Sequence, residues 1–294
     1  MQPHNTARPA AAAATAVLLA LAIPTTAQAE GAILAAQGIG YHIGVDGLAT
    51  IATGVYAGMA NPNAGRLTLL FDHGDHYHGI GAYSYSGPAA SAVVRDTNAN
   101  NRLPELYSRV SEASSSIPLQ TGSGAYAGRW VSTGVPESAP THGYSLLGLA
   151  SIQALQGLGA AAEVLYNSSG GRWKTAYADL QVGLQLVSAS AGLQVGLGSD
   201  TDIFDQGDTF ALGSSQTLQF LPTFHVAQTA AAGVYSASFR LVSLGGSTPA
   251  LDGGVFHLDF SAPAPVPEPQ AALLLALGLA GLVWNQRRRG RAGA

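Results

Sequence analysis

The chain has 294 residues, of which 47% are apolar and 10% charged, with no cysteine and a formal net charge of −4. Without cysteine there can be no disulfide, no thiolate nucleophile and no cysteine-based zinc site. The acidic balance argues against nucleic acid as a partner, and the length suits one large domain or two small ones.

At the N-terminus, Arg8 precedes an uncharged run over residues 10–23 (AAAAATAVLLALAI), which Pro24 breaks. Ala27-Gln28-Ala29 then puts small residues at the −3 and −1 positions of a peptidase site. This pattern predicts an export signal over residues 1–29, cut by signal peptidase so that Glu30 opens the mature chain. The apolar run is too short to cross a bilayer comfortably.

Strand signals follow, separated by Gly, Asn, Asp and Ser. Apolar runs at 39–43 and 49–56 come first, then alternation through Leu67, Leu69 and Phe71 leading into a histidine cluster, then Tyr83 and Tyr85. Residues 95–102 (RDTNANNR) read as a loop, and 103–112 (LPELYSRVSE) as a short helix starting after Pro104. The stretch 145–166 is ambiguous, because helical spacing at Ile152, Leu155, Leu158 and Ala162 is weakened by Gly157 and Gly159. Later alternation is clearer: Leu180 to Leu186, Leu193 to Leu197, Tyr235 to Leu241, and Phe256 to Phe260. Short strands joined by glycine turns predict an all-β, antiparallel sandwich-like domain over residues 30–260. A proline-rich linker (261–266) connects it to the tail.

The most chemical stretch is Asp72-His73-Gly74-Asp75-His76-Tyr77-His78-Gly79, which holds three of the eight histidines. Neutral imidazole is the commonest biological ligand for zinc, copper and nickel. In an extended segment His76 and His78 project to one side, and Gly74 lets the chain turn so that His73 can join them. The candidate ligands are His73, His76 and His78 with Asp75, completed by His225, just upstream of the Tyr235 to Leu241 strand, or by His257 on the last strand. A donor set of imidazole and carboxylate suits zinc best. Asp200, Asp202, Asp205 and Asp208 suggest a calcium loop, but without EF-hand spacing, and turn chemistry explains them equally well. His-Glu-x-x-His and Gly-x-Ser-x-Gly are both absent, so neither a zincin nor a serine hydrolase is indicated.

The tail reads Val266-Pro267-Glu268-Pro269, then an uncharged segment over 270–286, then Arg287-Arg288-Arg289 and Arg291. An apolar span ended by arginines is a stop-transfer pattern with its basic end in the cytoplasm. Residues 267–294 closely resemble the PEP-CTERM sorting signal of Gram-negative bacteria. That resemblance implies cleavage near Pro-Glu-Pro by an exosortase, a transient transmembrane segment, and a secreted or cell-surface product. With both ends removed, eight of the 13 basic and 16 of the 17 acidic residues remain, so the mature region is strongly acidic.

The blocks FDHGDHYHGIGAYSYSGP, LPTFHVAQ and GVYSASFRLVSL further resemble PEP-CTERM proteins repressed by the zinc-uptake regulator. That resemblance implies expression under zinc starvation. The sequence thus points to a non-enzymatic, exported zinc-binding protein. Two alternatives stand beside it: a structural or adhesive matrix protein associated with exopolysaccharide, and, further off, a secreted metallohydrolase.

Overall fold

In the computed structural model, the described residues are 38–73, 76–96, 101–105, 116–132, 143–175, 177, 179–247, 250–264 and 279. The expected export signal and most of the apolar tail segment lie outside them. Among the described residues, no helix is long and apolar enough to cross a membrane.

The strands, in chain order, are β1 (Ile39–Val45), β2 (Leu67–Asp72), β3 (Tyr77–Ile80), β4 (Tyr83–Ser86), β5 (Val93–Asp96), β6 (Arg102–Leu103), β7 (Ile117–Thr121), β8 (Arg129–Ser132), β9 (Gly148–Ser151), β10 (Gln181–Ala189), β11 (Gln194–Leu197), β12 (Thr209–Ser214), β13 (Gln219–Phe220), β14 (Pro222–Ala227), β15 (Gly233–Gly245) and β16 (Phe256–Ala262). A short helix, α1 (Ala160–Tyr166), follows a 3-10 turn over Ile152–Leu155. Strand outweighs helix by 47% to 11%, so the β reading of the sequence holds.

One sheet has the order β13-β9-β1-β2-β3. A nine-stranded sheet runs β11-β14-β8-β7-β16-β15-β10-β12, with β6 also beside β16, and β4 and β5 form a separate hairpin. The expectation of purely antiparallel pairing is corrected at three places: β1 with β9, β16 with β6, and β16 with β7 are parallel. Partners so far apart in sequence are not joined by hairpins, so nothing forces them antiparallel.

A single apolar core draws on both large sheets, with Tyr41, Leu69 and Phe71 from one and Phe239, Phe256 and Phe260 from the other. Burying each such side chain contributes roughly 1.5–3 kcal/mol. A second cluster, including Leu70, Tyr77, Leu155, Leu165 and Trp173, covers the opposite face of the first sheet. That sheet is therefore apolar on both faces, and β1 is buried at every position. Trp173 can lie against it because Gly44 and Gly79 carry no side chain; a Cβ on Gly79 would sit 3.3 Å from the indole.

Three local readings change. Residues 49–56 form turns with one isolated bridge, Thr50 to Ala60, rather than a strand. The ambiguous stretch divides into β9, the 3-10 turn and α1. Leu103 belongs to a strand and not to a helix, while residues 106–112 lie outside the described region.

Candidate metal centre

The histidine cluster is the tip of the β2–β3 hairpin. Register pairs Phe71 with His78 and Asp72 with Tyr77, and the His73 amide donates to the His76 carbonyl at 3.0 Å. Alternation then decides which way each side chain faces. His73 follows Phe71 by two residues, and His78 lies directly across from Phe71, so the two imidazoles share a face. Their ring centroids are 3.9 Å apart. Tyr77 takes the other face, where its hydroxyl meets His42 Nδ1 at 2.9 Å.

Between the two imidazoles sits a residue that sequence reasoning passed over. Glu105 follows β6, which is carried by the nine-stranded sheet, and its side chain is only 2% exposed. His73 Nε2 lies 3.1 Å from its Oε2, and His78 Nδ1 lies 2.8 Å from its Oε1. The Tyr144 hydroxyl donates to Oε2 at 3.3 Å. Tyr144 is in turn fixed by stacking on Phe71, with centroids 4.5 Å apart. Burial pushes the Glu105 carboxyl up, but the hydrogen bonds from His73 and His78, with their charge, outweigh it and hold it below the ordinary carboxylate value.

His73, His78 and Glu105 each offer one ligating atom, and these atoms lie within 4.8 Å of one another. Among the described residues, no other trio of His, Asp or Glu side chains comes this close. Two ligands on one tetrahedral zinc, with bonds near 2.0–2.2 Å, stand about 3.4 Å apart. The contacts of His73 and His78 with Glu105, at 3.1 and 2.8 Å, are somewhat shorter than that spacing. His76 stands beside the trio at the exposed rim, its Nε2 3.2 Å from His78 Nε2. Asp75 lies outside the described residues.

The two later histidines are placed elsewhere. His225, fully buried on β14, has Nε2 2.6 Å from the Thr201 carbonyl and Nδ1 2.9 Å from Arg129 Nη1. An Nε2–H tautomer satisfies both contacts and leaves no lone pair for a metal. Burial and the nearby Arg129 charge lower its pKa, against the opposing Thr201 carbonyl. His257, on β16, meets Ser238 Oγ through Nδ1 at 2.8 Å, and burial followed by the Arg102 charge lowers its pKa. Neither belongs to the trio. In the 200–208 loop, Asp200 and Asp208 accept backbone N–H groups and Asp202 accepts from Gln194, which is the turn chemistry the sequence offered as the alternative to calcium.

Residues 265–289 match the family model of the PEP-CTERM protein-sorting motif. The chain thus carries the sorting signal of exported proteins whose C-terminus is processed by exosortase. No curated protein and no solved structure matches the chain.

Proposed function

We propose that the exported domain binds one transition-metal ion, zinc in the first instance, through His73, His78 and Glu105, and that its role is non-enzymatic. The observation that carries this reading is the buried carboxylate held between two imidazoles contributed by the tip of a different sheet. In the metal-free protein those imidazoles donate N–H groups to Glu105. An entering ion needs the lone pairs of the nitrogens that face Glu105, so each neutral imidazole must carry its proton on its other nitrogen and any protonated imidazole must lose one. The resemblance to proteins repressed by the zinc-uptake regulator supports a role under zinc limitation.

A hydrolase would need a further carboxylate near the ion to act as base. Among the described residues that line the cleft beside the trio, Glu105 is the one acidic residue, and it is occupied as a ligand. This favours capture of the ion over catalysis.

The test is calorimetry on the full chain after metal stripping. Zinc should bind with one equivalent near neutral pH. Affinity should fall in acid, because protonated imidazole cannot ligate. A His73→Ala/His78→Ala variant that binds zinc as tightly as the parent would overturn the proposal and leave the matrix-protein reading in its place.

A further inference from the structure

Where the two large sheets meet, the segment 250–253 runs between β2 and β15. The Leu67 amide donates to the Leu251 carbonyl, and the Gly253 amide to the Leu241 carbonyl, each at 2.9 Å. This seam borders a groove of about 620 Å³, within the size range of small-molecule sites. Arg66, Tyr83, Arg240, Leu251 and Asp252 are among the residues that line it.

Both arginines are held by neutral groups. Arg66 Nε donates to the Pro62 carbonyl at 3.0 Å and its Nη1 to the Asp252 carbonyl at 2.9 Å. Its guanidinium carbon lies 4.8 Å from the Tyr83 ring centroid. Arg240 Nη2 donates to Gln185 Oε1 at 2.6 Å, and its Nε is buried with no acceptor among the described residues. Arg102 and Arg172, by contrast, are each neutralised by a buried aspartate, Asp259 and Asp46. Among the described residues, neither Arg66 nor Arg240 has such a carboxylate. A half-buried cation without a counter-charge is costly, and an anion entering the groove relieves that cost. Arg66 Nη2 and Arg240 Nη1 engage no acceptor among the described residues and stay accessible to solvent.

The groove also departs in charge from its surroundings. The region between the predicted cleavage points carries twice as many acidic as basic residues, yet here two arginines face the one carboxylate of Asp252. Asp252 Oδ1 accepts the Ser243 amide at 3.0 Å, and its Oδ2 engages no donor among the described residues. A bare oxyanion is repelled by that oxygen, whereas a hydroxyl donates to it. Leu251, 52% exposed, adds apolar surface for C–H groups.

From this arrangement we infer that the groove binds a hydroxylated carboxylate of the sugar-acid class, its carboxylate anchored by Arg66 and Arg240 and one hydroxyl donating to Asp252. The planar pair of carboxylate oxygens suits the guanidinium fork. The groove shares no residue with the His73, His78 and Glu105 centre and does not depend on it. A free sugar acid and a unit of an acidic polysaccharide present the same chemistry to it.

Ligand-observed NMR on the full chain tests this with galacturonate and glucuronate as probes and with galactose, acetate and inorganic phosphate as controls. At least one uronate should bind saturably, roughly tenfold or more tighter than acetate or phosphate, and galactose should give no response. Arg66→Gln and Arg240→Gln should each weaken the uronate roughly tenfold to a hundredfold, the worth of one charge-assisted hydrogen bond. Arg240 is half-buried on β15, so Leu251→Glu serves as a further variant at an exposed side chain. It sets a like charge beside the groove and should abolish the uronate response while leaving the urea midpoint and zinc affinity unchanged. Polygalacturonate that binds more tightly per unit than the monomer identifies the polymer as the source, and equal affinity per unit identifies the free acid. No response to either uronate would overturn the inference. So would acetate or phosphate binding as tightly as the uronates, or an undiminished response in Leu251→Glu. The His73→Ala/His78→Ala variant should bind the uronate as the parent does, so failure of the metal reading leaves this inference standing.

Discussion

His78 and His225 sit on strands of the same domain, and each places both ring nitrogens against a defined partner, yet the two sites are chemically opposite. The partners of His225 are a backbone carbonyl and a guanidinium, neither of which can follow a metal ion into coordination. The partners of His78 are a carboxylate and another imidazole, both of which are ligands themselves. Burial differs as well, His225 being fully buried and His78 partly exposed, but the identity of the neighbouring atoms sets the chemistry. A histidine whose partners are fixed donors and acceptors is a structural element, and one whose partners are ligands is a candidate centre.

The sharpest way to break this comparison is to remove the key partner from each side. Glu105→Ala should lower zinc affinity on the order of a thousandfold, because a charged ligand is lost and the two imidazoles lose the group that aligns them. His225→Ala should leave zinc affinity within a factor of two. It should instead cost about 3–4 kcal/mol of stability, since it opens a cavity and strands the Thr201 carbonyl and the Arg129 guanidinium. Zinc titration and urea denaturation on both variants check the pair. Loss of zinc affinity in His225→Ala would collapse the distinction.

His42 extends the comparison to a histidine that neither binds nor bridges. It is fully buried, its Nδ1 meets Tyr77, and its Nε2 has no partner among the described residues. Burial lowers its pKa from 6.5 to about 4. The sign follows from linkage: below 6.5 the unfolded chain takes up a proton that folded His42 refuses, so stability is complete above 6.5 and is lost as pH falls towards 4. The loss is on the order of 3 kcal/mol. In the metal-free protein, urea midpoints between pH 7 and 4 should fall steeply, and His42→Leu should remove most of that slope. His225, lowered in the same direction, leaves a residue of it. An unchanged slope in His42→Leu would show that its proton is not what folding excludes.

These contrasts mark where the sequence was readable. Alternation at Leu180 to Leu186, Tyr235 to Leu241 and Phe256 to Phe260 identified β10, β15 and β16, because one face of each meets the core and polar residues occupy the other. The hairpin histidines were legible because a local cluster needs no long-range information. Leu67 to Phe71 was read from the alternation of Leu67, Leu69 and Phe71 and is buried on both faces, since its second face is covered by residues some 80 to 100 positions later. Glu105 was missed for the same reason. It lies 27 and 32 residues from its partners, and the pattern after Pro104 fitted a helix start. One local hint existed: a carboxylate flanked by Leu103 and Leu106 sits in an apolar setting that ordinarily excludes charge. His225 and His257 were proposed from residue type alone, which does not show whether a nitrogen is already engaged.

The smallest expected effect is the finest probe of the comparison, because it concerns a residue that would not touch the ion. The Tyr144 hydroxyl donates to the Glu105 oxygen that also faces His73. Its ring is held against Phe71, so Tyr144→Phe keeps the stacking and removes one hydrogen bond. At 3.3 Å this is a long hydrogen bond, worth the about 1 kcal/mol of an ordinary one, which corresponds to a roughly fivefold loss of zinc affinity. The loss should appear in the dissociation rate, because the hydroxyl orients a ligand already in place and takes no part in capturing the ion. If Tyr144→Phe binds and releases zinc like the parent while Glu105→Ala does not, Glu105 is positioned without help from Tyr144. If the variant loses affinity through slower association instead, Tyr144 shapes the approach to the centre, and its contact with Glu105 is incidental.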